Sequence, residues 1–595
     1  MPPESRRAAR EASQAASARP TDDARPDRSR RRRIIGITVG VVLLVLVAAA
    51  AWLGFRALMV KGELESAQKI VSSITGDAES TTPMAEKIVE LGGHAATAAA
   101  AANDPVWRAV EWVPMAGENL RAVRLASESL DVLANGVAIP ALAAMSEESA
   151  EPPLARLLPT LQAQSTRVQE LAVEVGEVAE STALIGQVRS GIEQVAPVLD
   201  AAAPMLETLP VLLGADGPRN YLLVFQNNAE SLPLGGSAAS QTLVSADRGA
   251  ISIAAQASSA DFQEGVPVDV AVDQSAIDLY GTYLVDHVNT ATSRPDFPTA
   301  AQILRAFWQR DIAPDQIDGV ISIDPIALGR VLLATGPITI GDVELNSQNA
   351  VDILLSDVYT WWDPYASKSQ AKASDAFFAS VAEQVFAKLA GGDFDLKDMA
   401  WAVNESIDKG DIMLWSDNAQ IAALVDGQRI TGALPSDNSD ETVVGVYFRD
   451  TSKSKIDYYM NSAIDVTQTC AADESTITAA TTLHLDISQE AADDLPRYVA
   501  SGWWGSEQFR TEVYVYGPPG TTLATVSVDG RDLQQLGSGS DDLGRPVAAF
   551  ETYLRPGESA TVTATFAGTG EFGPASVRST PMVNPTKVSI DSACG

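Results

Sequence analysis

With three histidines and two cysteines in 595 residues, the chain has little material for metal or thiol chemistry. His94, His287 and His484 lie far apart, in segments of different character, which argues against a multi-histidine metal site or a His-Glu zinc protease. Cys470 and Cys594 form no Cys-x-x-Cys pair, so a thiolate zinc site is not indicated. No phosphate-binding P-loop, Gly-x-Ser-x-Gly elbow or dinucleotide fingerprint occurs. Positive charge is also scarce outside the N-terminus. Residues 1–33 hold 10 Arg against 5 acidic residues, and the rest holds 32 basic against 72 acidic side chains, net −40. So acidic a surface is soluble and attracts divalent cations, but it cannot neutralise phosphates along a nucleic acid, and no nucleic-acid partner is expected.

Charge is missing altogether from Ile34 to Phe55, 22 residues reading IIGITVGVVLLVLVAAAAWLGF. As a helix this stretch spans roughly 33 Å, enough for a hydrocarbon core of about 30 Å. Arg30 to Arg33 precede it and belong on the cytoplasmic side, which exports everything beyond it, and Trp52 suits the outer headgroup layer. A cleaved signal peptide would have a shorter apolar core and a small-residue boundary, whereas Ala48–Ala51 is followed by Trp-Leu-Gly-Phe. A buried core helix would not follow four arginines and a tail without large apolar side chains. The expectation is a cell-membrane protein, single-pass, with a disordered cytoplasmic tail (1–33), a transmembrane helix (34–55) and an extracytoplasmic remainder in contact with the lipid bilayer.

About 540 exported residues are too many for one core, and the pattern divides them into three. Residues 56–212 are Ala-rich and helical, with Leu64, Ala67, Val71 and Ile74, and again Val168, Leu171, Val175 and Val178, at helical spacing. Breaks at Gly92-Gly93, Asp104-Pro105 and Pro152-Pro153 predict a membrane-proximal bundle, and the Ala98–Ala102 run predicts close helix packing. Residues 213–435 read as a layered α/β/α domain. Strands are predicted at Asn220–Phe225, Gln241–Ser245, Ala250–Ala254, Asp318–Ile323 and Asp411–Trp415, and helices at Thr299–Arg310, Pro325–Ala334, from Asn346, and at Ser374–Leu389. Residues 436–595 alternate short strands with turns such as Gly517-Pro518-Pro519-Gly520, which predicts a β-sandwich. Outside the cell Cys470 and Cys594 are free to form a disulfide tying down the C-terminus, the alternative being two separate thiols.

The segment richest in candidate chemistry is Arg219 to Gly236, RNYLLVFQNNAESLPLGG. A buried strand ending in Gln226, Asn227, Asn228 and Glu230 is where α/β sheets place ligands, and Gly235-Gly236 would let backbone amides approach an anion. A polar loop with a Gly turn would read the same way. Arg305, Arg310 and Arg330 would contact phosphate or simply face solvent. Asp318 and Asp324 would hold a divalent ion or cap local backbone. Tyr359, Trp361, Trp362 and Tyr365 would line a groove for a lipid or sugar, or form core.

The chain resembles the domain-of-unknown-function 4012 family of bacterial membrane proteins. The likeness is carried by RNYLLVFQNNAE with its Gly-Gly, by Ile317–Pro325, Gly336-Pro337-Ile338, Met413–Ser416, Lys455–Tyr459, Thr580–Pro585, and Asp104–Trp107 through Leu120. That family is in turn distantly similar to LytR-CpsA-Psr proteins, which move glycopolymers from a polyprenyl diphosphate to the cell wall with arginines on the diphosphate and acids on Mg²⁺. The resemblance implies a catalytic set of Arg219, Glu230, Asp318 and Asp324, binding by Asn227, Asn228, Gly235, Gly236 and Arg305, and Mg²⁺ on Asp318 and Asp324. Its implied partner is a polyprenyl-linked glycopolymer or peptidoglycan. One departure stands against transfer: Leu232 occupies the place of an expected arginine. The alternative is a non-catalytic extracytoplasmic scaffold or polysaccharide-binding protein in wall assembly.

Overall fold

The computed structural model describes residues 28–75, 84–147, 149–471, 474–501, 503–532 and 541–594. The expected disorder of the tail lies outside the described residues for 1–27, while 28–33, predicted disordered as well, are the start of the first helix.

The first helix runs unbroken from Arg28 to Thr75, 48 residues, well past the end predicted at Phe55. Beyond Phe55 the sequence stays rich in Ala, Leu, Glu and Lys, so nothing stops the helix when it leaves the apolar stretch. Its apolar window is long enough to cross a membrane, and none of that window is buried. Two further helical runs, Ala116–Ser146 and Gly186–Leu212, also qualify by length and composition, but parts of each are buried within the protein. In the first of them Arg124 pairs with Glu111 and Glu128 inside the bundle, which fits a water-exposed bundle better than a bilayer.

Helix Met84–Ala102 packs against the first helix in the opposite direction. Lys87 donates to the Ser73 carbonyl at one end (2.9 Å), and the Trp52 indole donates to Asp104 at the other (3.1 Å). Ala95, Ala98, Ala101 and Ala102 are fully buried, which is close packing as their run predicts. The break expected at Gly92-Gly93 is absent, and the helix continues through it. Gly92 is instead a packing glycine: a side chain there would strike Asn135, whose amide donates to the Gly92 carbonyl at 2.8 Å. Helices Ala116–Asp131, Pro153–Ala179 and Gly186–Leu212 complete the bundle around Leu161, Val168, Leu171, Val175 and Val178.

A five-stranded sheet follows, with β1 (Arg219–Leu232), β2 (Gly235–Asp247), β3 (Ala250–Ser258), β4 (Gly319–Ile323) and β5 (Ile412–Ser416) in the order β3-β2-β1-β4-β5. β1 and β4 run parallel, and every other neighbouring pair is antiparallel. One face is covered by helix Phe297–Asp311, whose Phe297, Ile303, Leu304, Phe307 and Trp308 bury themselves on Leu222, Val224, Leu243 and Val320. On the other side Tyr221 donates to the Leu212 carbonyl at 3.0 Å, joining sheet to bundle. Helix Pro325–Thr335 lies after β4 and packs on Lys368–Gly391. Helix Leu396–Lys409 was not predicted; seven of its 14 residues are apolar, but only Ala402 and Ser406 are fully buried.

The C-terminal part holds a six-stranded and a four-stranded sheet whose inward residues, among them Val446, Phe448, Ile477, Leu483, Val513 and Phe566, form one cluster. Strand Ser475–Leu485 shows why: alternate residues are buried along its whole length. Strands Met460–Thr469, Ala575–Ser579 and Lys587–Ser592 belong to the same two sheets, the first alternating buried and outward residues and the last exposed throughout. Lys587–Ser592 lies parallel to Met460–Thr469, and Cys470 and Cys594, just beyond the two strand ends, are joined as a disulfide. Tyr447, Tyr514, Tyr516 and Val547 of these sheets enter the same cluster as β1 and helix Phe297–Asp311, so the two regions share a core.

Candidate functional site: a buried polar seam at the end of β1

The residues expected to form a polar loop after Phe225 continue the strand instead. β1 runs on to Leu232, with register breaks after Phe225 and after Asn227, and the chain turns only at Pro233-Leu234. The breaks are β-bulges, which re-aim side chains that a regular strand would alternate. Gly236 makes the hairpin possible, because a Cβ there would collide with the Asn227 backbone. Its N–H donates to Gln226 Oε1 at 2.8 Å, so the amide expected to face an anion is already occupied.

Each polar side chain of the motif meets a partner from elsewhere in the fold. Asn227 donates to the Tyr359 hydroxyl at 2.7 Å. Asn228 donates to Asp324 at 2.8 Å and to the Pro581 carbonyl at 3.1 Å. Glu230 pairs with Lys455 and accepts from Ser237. Ser231 donates from both N–H and O–H to Asp457. Gln226, Asn227, Asn228, Ser231, Asp324, Lys455 and Asp457 are all buried. Lys455 also lies over the rings of Tyr359 and Tyr498, 4.7 and 4.8 Å from their centroids. Sequence reading missed Lys455, Asp457 and Tyr498 as members of this cluster; Lys455 and Asp457 lie in the KIDYY motif it had quoted, but nothing local says what they face.

Burial sets the electrostatics. It pushes the Asp324 carboxyl well above the ordinary range, and the Asp411 charge adds to the push. It does the same to Asp457, with Asp450 adding repulsion. Asp450 is pushed up to about 6 by burial, against hydrogen bonds from Ser452 and Ser454. For Lys455 burial opposes the charged form, but Glu230 and the two tyrosines outweigh it and raise the ammonium. Buried Oδ1 of Asp457 has no hydrogen-bond partner, which a neutral carboxyl tolerates better than a carboxylate. The seam therefore holds one cation, compensated by Glu230, beside three aspartates, Asp324, Asp450 and Asp457, whose carboxyls burial pushes upward.

The remaining candidates lie elsewhere. Arg219 pairs with Asp318 at 3.1 Å at the opposite end of β1, and Asp318 also accepts from the Asn220 N–H at 2.8 Å. Asp318 and Asp324 flank β4 on opposite ends, about 20 Å apart along the strand. They cannot share one Mg²⁺, and Asp324 is the N-cap of helix Pro325–Thr335, accepting from Ala327 at 2.8 Å. Among the described residues no group of three His, Cys, Asp or Glu is placed to hold a metal. Arg305 pairs with Asp417 at 2.9 Å and stacks on Trp415. Arg310 pairs with Asp311, and Arg330 with Asp411. Of the aromatic cluster, Tyr359 is buried in the seam, Trp361 and Trp362 pack on Phe377, and Tyr365 packs on Tyr498.

Leu232, in place of the expected arginine, is buried in the hairpin, whose Pro233 carbonyl accepts from Thr580 at 3.3 Å and whose Leu234 donates to Thr292 at 3.3 Å. A guanidinium would have no water there.

Residues 216–359 match the family described as "Protein of unknown function (DUF4012)". The match takes in β1 to β4, the hairpin and helix Pro325–Thr335. No curated protein and no solved structure matches the chain.

Proposed function

We propose that this chain is a membrane-anchored, extracytoplasmic protein of the cell envelope that acts as a non-catalytic scaffold or polysaccharide-binding module. In this reading the first helix spans the membrane, the bundle stands on it, the mixed sheet is the centre of a layered α/β domain, and the two C-terminal sheets form a β-sandwich.

The observation that carries the reading is that the polar motif is spent on the fold. Transfer from a polyprenyl diphosphate needs donors and cations aimed at developing phosphate charge. The cation of the seam, Lys455, is already paired with Glu230, and the acids beside it are buried. Binding of polysaccharide finds better support on the surface, where Trp503 and Tyr553 are exposed, both pack on Trp504, and Lys453 sits 5.4 Å from the Trp503 ring. Exposed rings beside a cation suit sugar faces.

The test uses full-length protein in lipid vesicles with a polyprenyl-diphosphate-linked glycan and millimolar Mg²⁺. No transfer and no diphosphate release is expected, while isolated wall polysaccharide co-sediments with the vesicles and Trp503→Ala lowers that binding. Mg²⁺-dependent transfer would overturn the reading.

A further inference from the structure

The turn between helices Met84–Ala102 and Ala116–Asp131 is the end of the bundle nearest the apolar segment of the first helix. Asp104 fixes it there. Its carboxylate accepts from the Trp52 indole at 3.1 Å and from Arg56 at 3.3 Å, the residues at which the charge-free stretch ends. Trp107 is buried with Val60, Ala98, Ala101 and Ala102, and Leu53, Ala57, Leu120 and Val123 pack on that group. Helix Ala116–Asp131 rises from this point, since Leu130 packs with Ala67 and Ile70 of the first helix. Followed back down from Leu120, Met115 lies about 7.5 Å closer to the membrane end. That brings the turn to the level of Trp52 and Phe55.

What the turn presents there is apolar. Trp112 is 89 % exposed, Met115 73 % and Val113 47 %. Ile185, 60 % exposed, joins them from the loop before helix Gly186–Leu212, its N–H held by Asn119 at 2.9 Å. Arg108 is exposed on the same turn. These side chains are not swinging on a loose loop. Glu111 is gripped by Arg124 through two hydrogen bonds, 2.7 and 3.3 Å. The Trp107 indole donates to the Leu120 carbonyl at 3.0 Å. Gly117 lies against the Glu111 carbonyl where no Cβ would fit, and its N–H donates to Val113 O at 2.7 Å. Met115 is held at φ 68°, a conformation a side chain adopts only at a cost. On a chain this acidic, a rigid corner that turns an indole, a thioether and a valine outward exposes apolar surface that water penalises.

We propose that the Asn103–Met115 turn is a second membrane contact, in which Trp112, Val113 and Met115 enter the outer headgroup–acyl boundary beside the spanning helix while Arg108 meets lipid phosphate. The amphipathic indole is suited to that layer, and the wedge braces the bundle upright on its anchor. This inference rests on the anchor reading above, and its test separates the two.

The native cysteines are bonded to each other, so a single introduced thiol can carry an environment-sensitive fluorophore. Trp112→Cys, Val173→Cys on an exposed mid-bundle position and Leu46→Cys in the apolar stretch are labelled in the full-length protein. Each is reconstituted in phosphatidylcholine–phosphatidylglycerol vesicles containing nitroxide lipid. The expected result is a blue-shifted probe at 112, quenched several-fold more than the probe at 173. Quenching at 46 with the probe at 112 no more quenched than that at 173 overturns the membrane contact and leaves the anchor standing. No quenching at 46 overturns the anchor, and the contact with it. A probe at 112 that is blue-shifted but unquenched by lipid, and that crosslinks to a second copy, assigns the patch to protein contact and also overturns the proposal.

Discussion

If the polar seam is a clamp, removing Glu230 is more damaging than removing Lys455. The Lys455 side chain is 3 % exposed and Glu230 29 %. Glu230→Gln leaves an ammonium buried with two tyrosine rings as its compensation. Breaking a buried pair by removing one partner costs about 3–5 kcal/mol. The two cation–π contacts are present before and after the substitution and keep the ammonium partly compensated, so the loss lies at the lower end of that range, about 3 kcal/mol. Lys455→Met removes the buried charge itself and replaces its stem by a side chain of similar length. Glu230 is then free to take up water at its exposed edge, and the loss is about 1–2 kcal/mol. The double variant, with no charge left to bury, is less destabilised than Glu230→Gln alone. Urea unfolding of the full-length protein in detergent micelles, followed by tyrosine near-ultraviolet circular dichroism, gives the midpoints for all four proteins. A greater loss for Lys455→Met than for Glu230→Gln, or a double variant that loses the sum of both, would refute the clamp.

Three further outcomes follow from the same physics. Asp450 is held at about 6 against an ordinary 3.8, so it contributes stability that is complete below about pH 4 and is lost as pH rises through about 6, worth about 3 kcal/mol at most. Thermal unfolding of the wild type should therefore shift to higher temperature between pH 7 and pH 4.5, and Asp450→Asn should flatten the rise; superposable profiles would contradict this. Restoring the arginine with Leu232→Arg should cost about 3 kcal/mol or more, because an unpaired charge is forced into the hairpin; a folded variant of unchanged melting temperature would refute the placement. Replacing Cys470 and Cys594 with serine should cost about 2–5 kcal/mol, since the bond closes a loop of 124 residues, and differential scanning fluorimetry with and without reductant reads it directly.

Much of the framework was legible because it rests on periodicity. The stripe Val168, Leu171, Val175 and Val178 is buried, as its spacing predicts. Strand Ser475–Leu485 alternates as a half-buried strand must. The strand–Asp–Pro–helix order at Ile317–Pro325 is realised by β4, the Asp324 cap and helix Pro325–Thr335. Where the reading failed, tertiary contacts outweighed local signals. Gly92-Gly93 looked like a break and is a packing point for Asn135. Gln226–Glu230 looked like a loop and is a bulged strand whose polar groups find their partners far along the chain.

The charge-free helix and the acidity of everything beyond it were fixed by composition, since hydrophobic length and net charge need no knowledge of neighbours. What the polar motif does was decided only by the tertiary structure. Asn228, Glu230 and Ser231 have the same hydrogen-bonding capacity in a ligand site as in a seam. Their roles depend on Asp324, Lys455, Asp457 and Pro581, residues 96 to 353 positions away. No local pattern encodes a partner at that distance, and only folding brings donor and acceptor together.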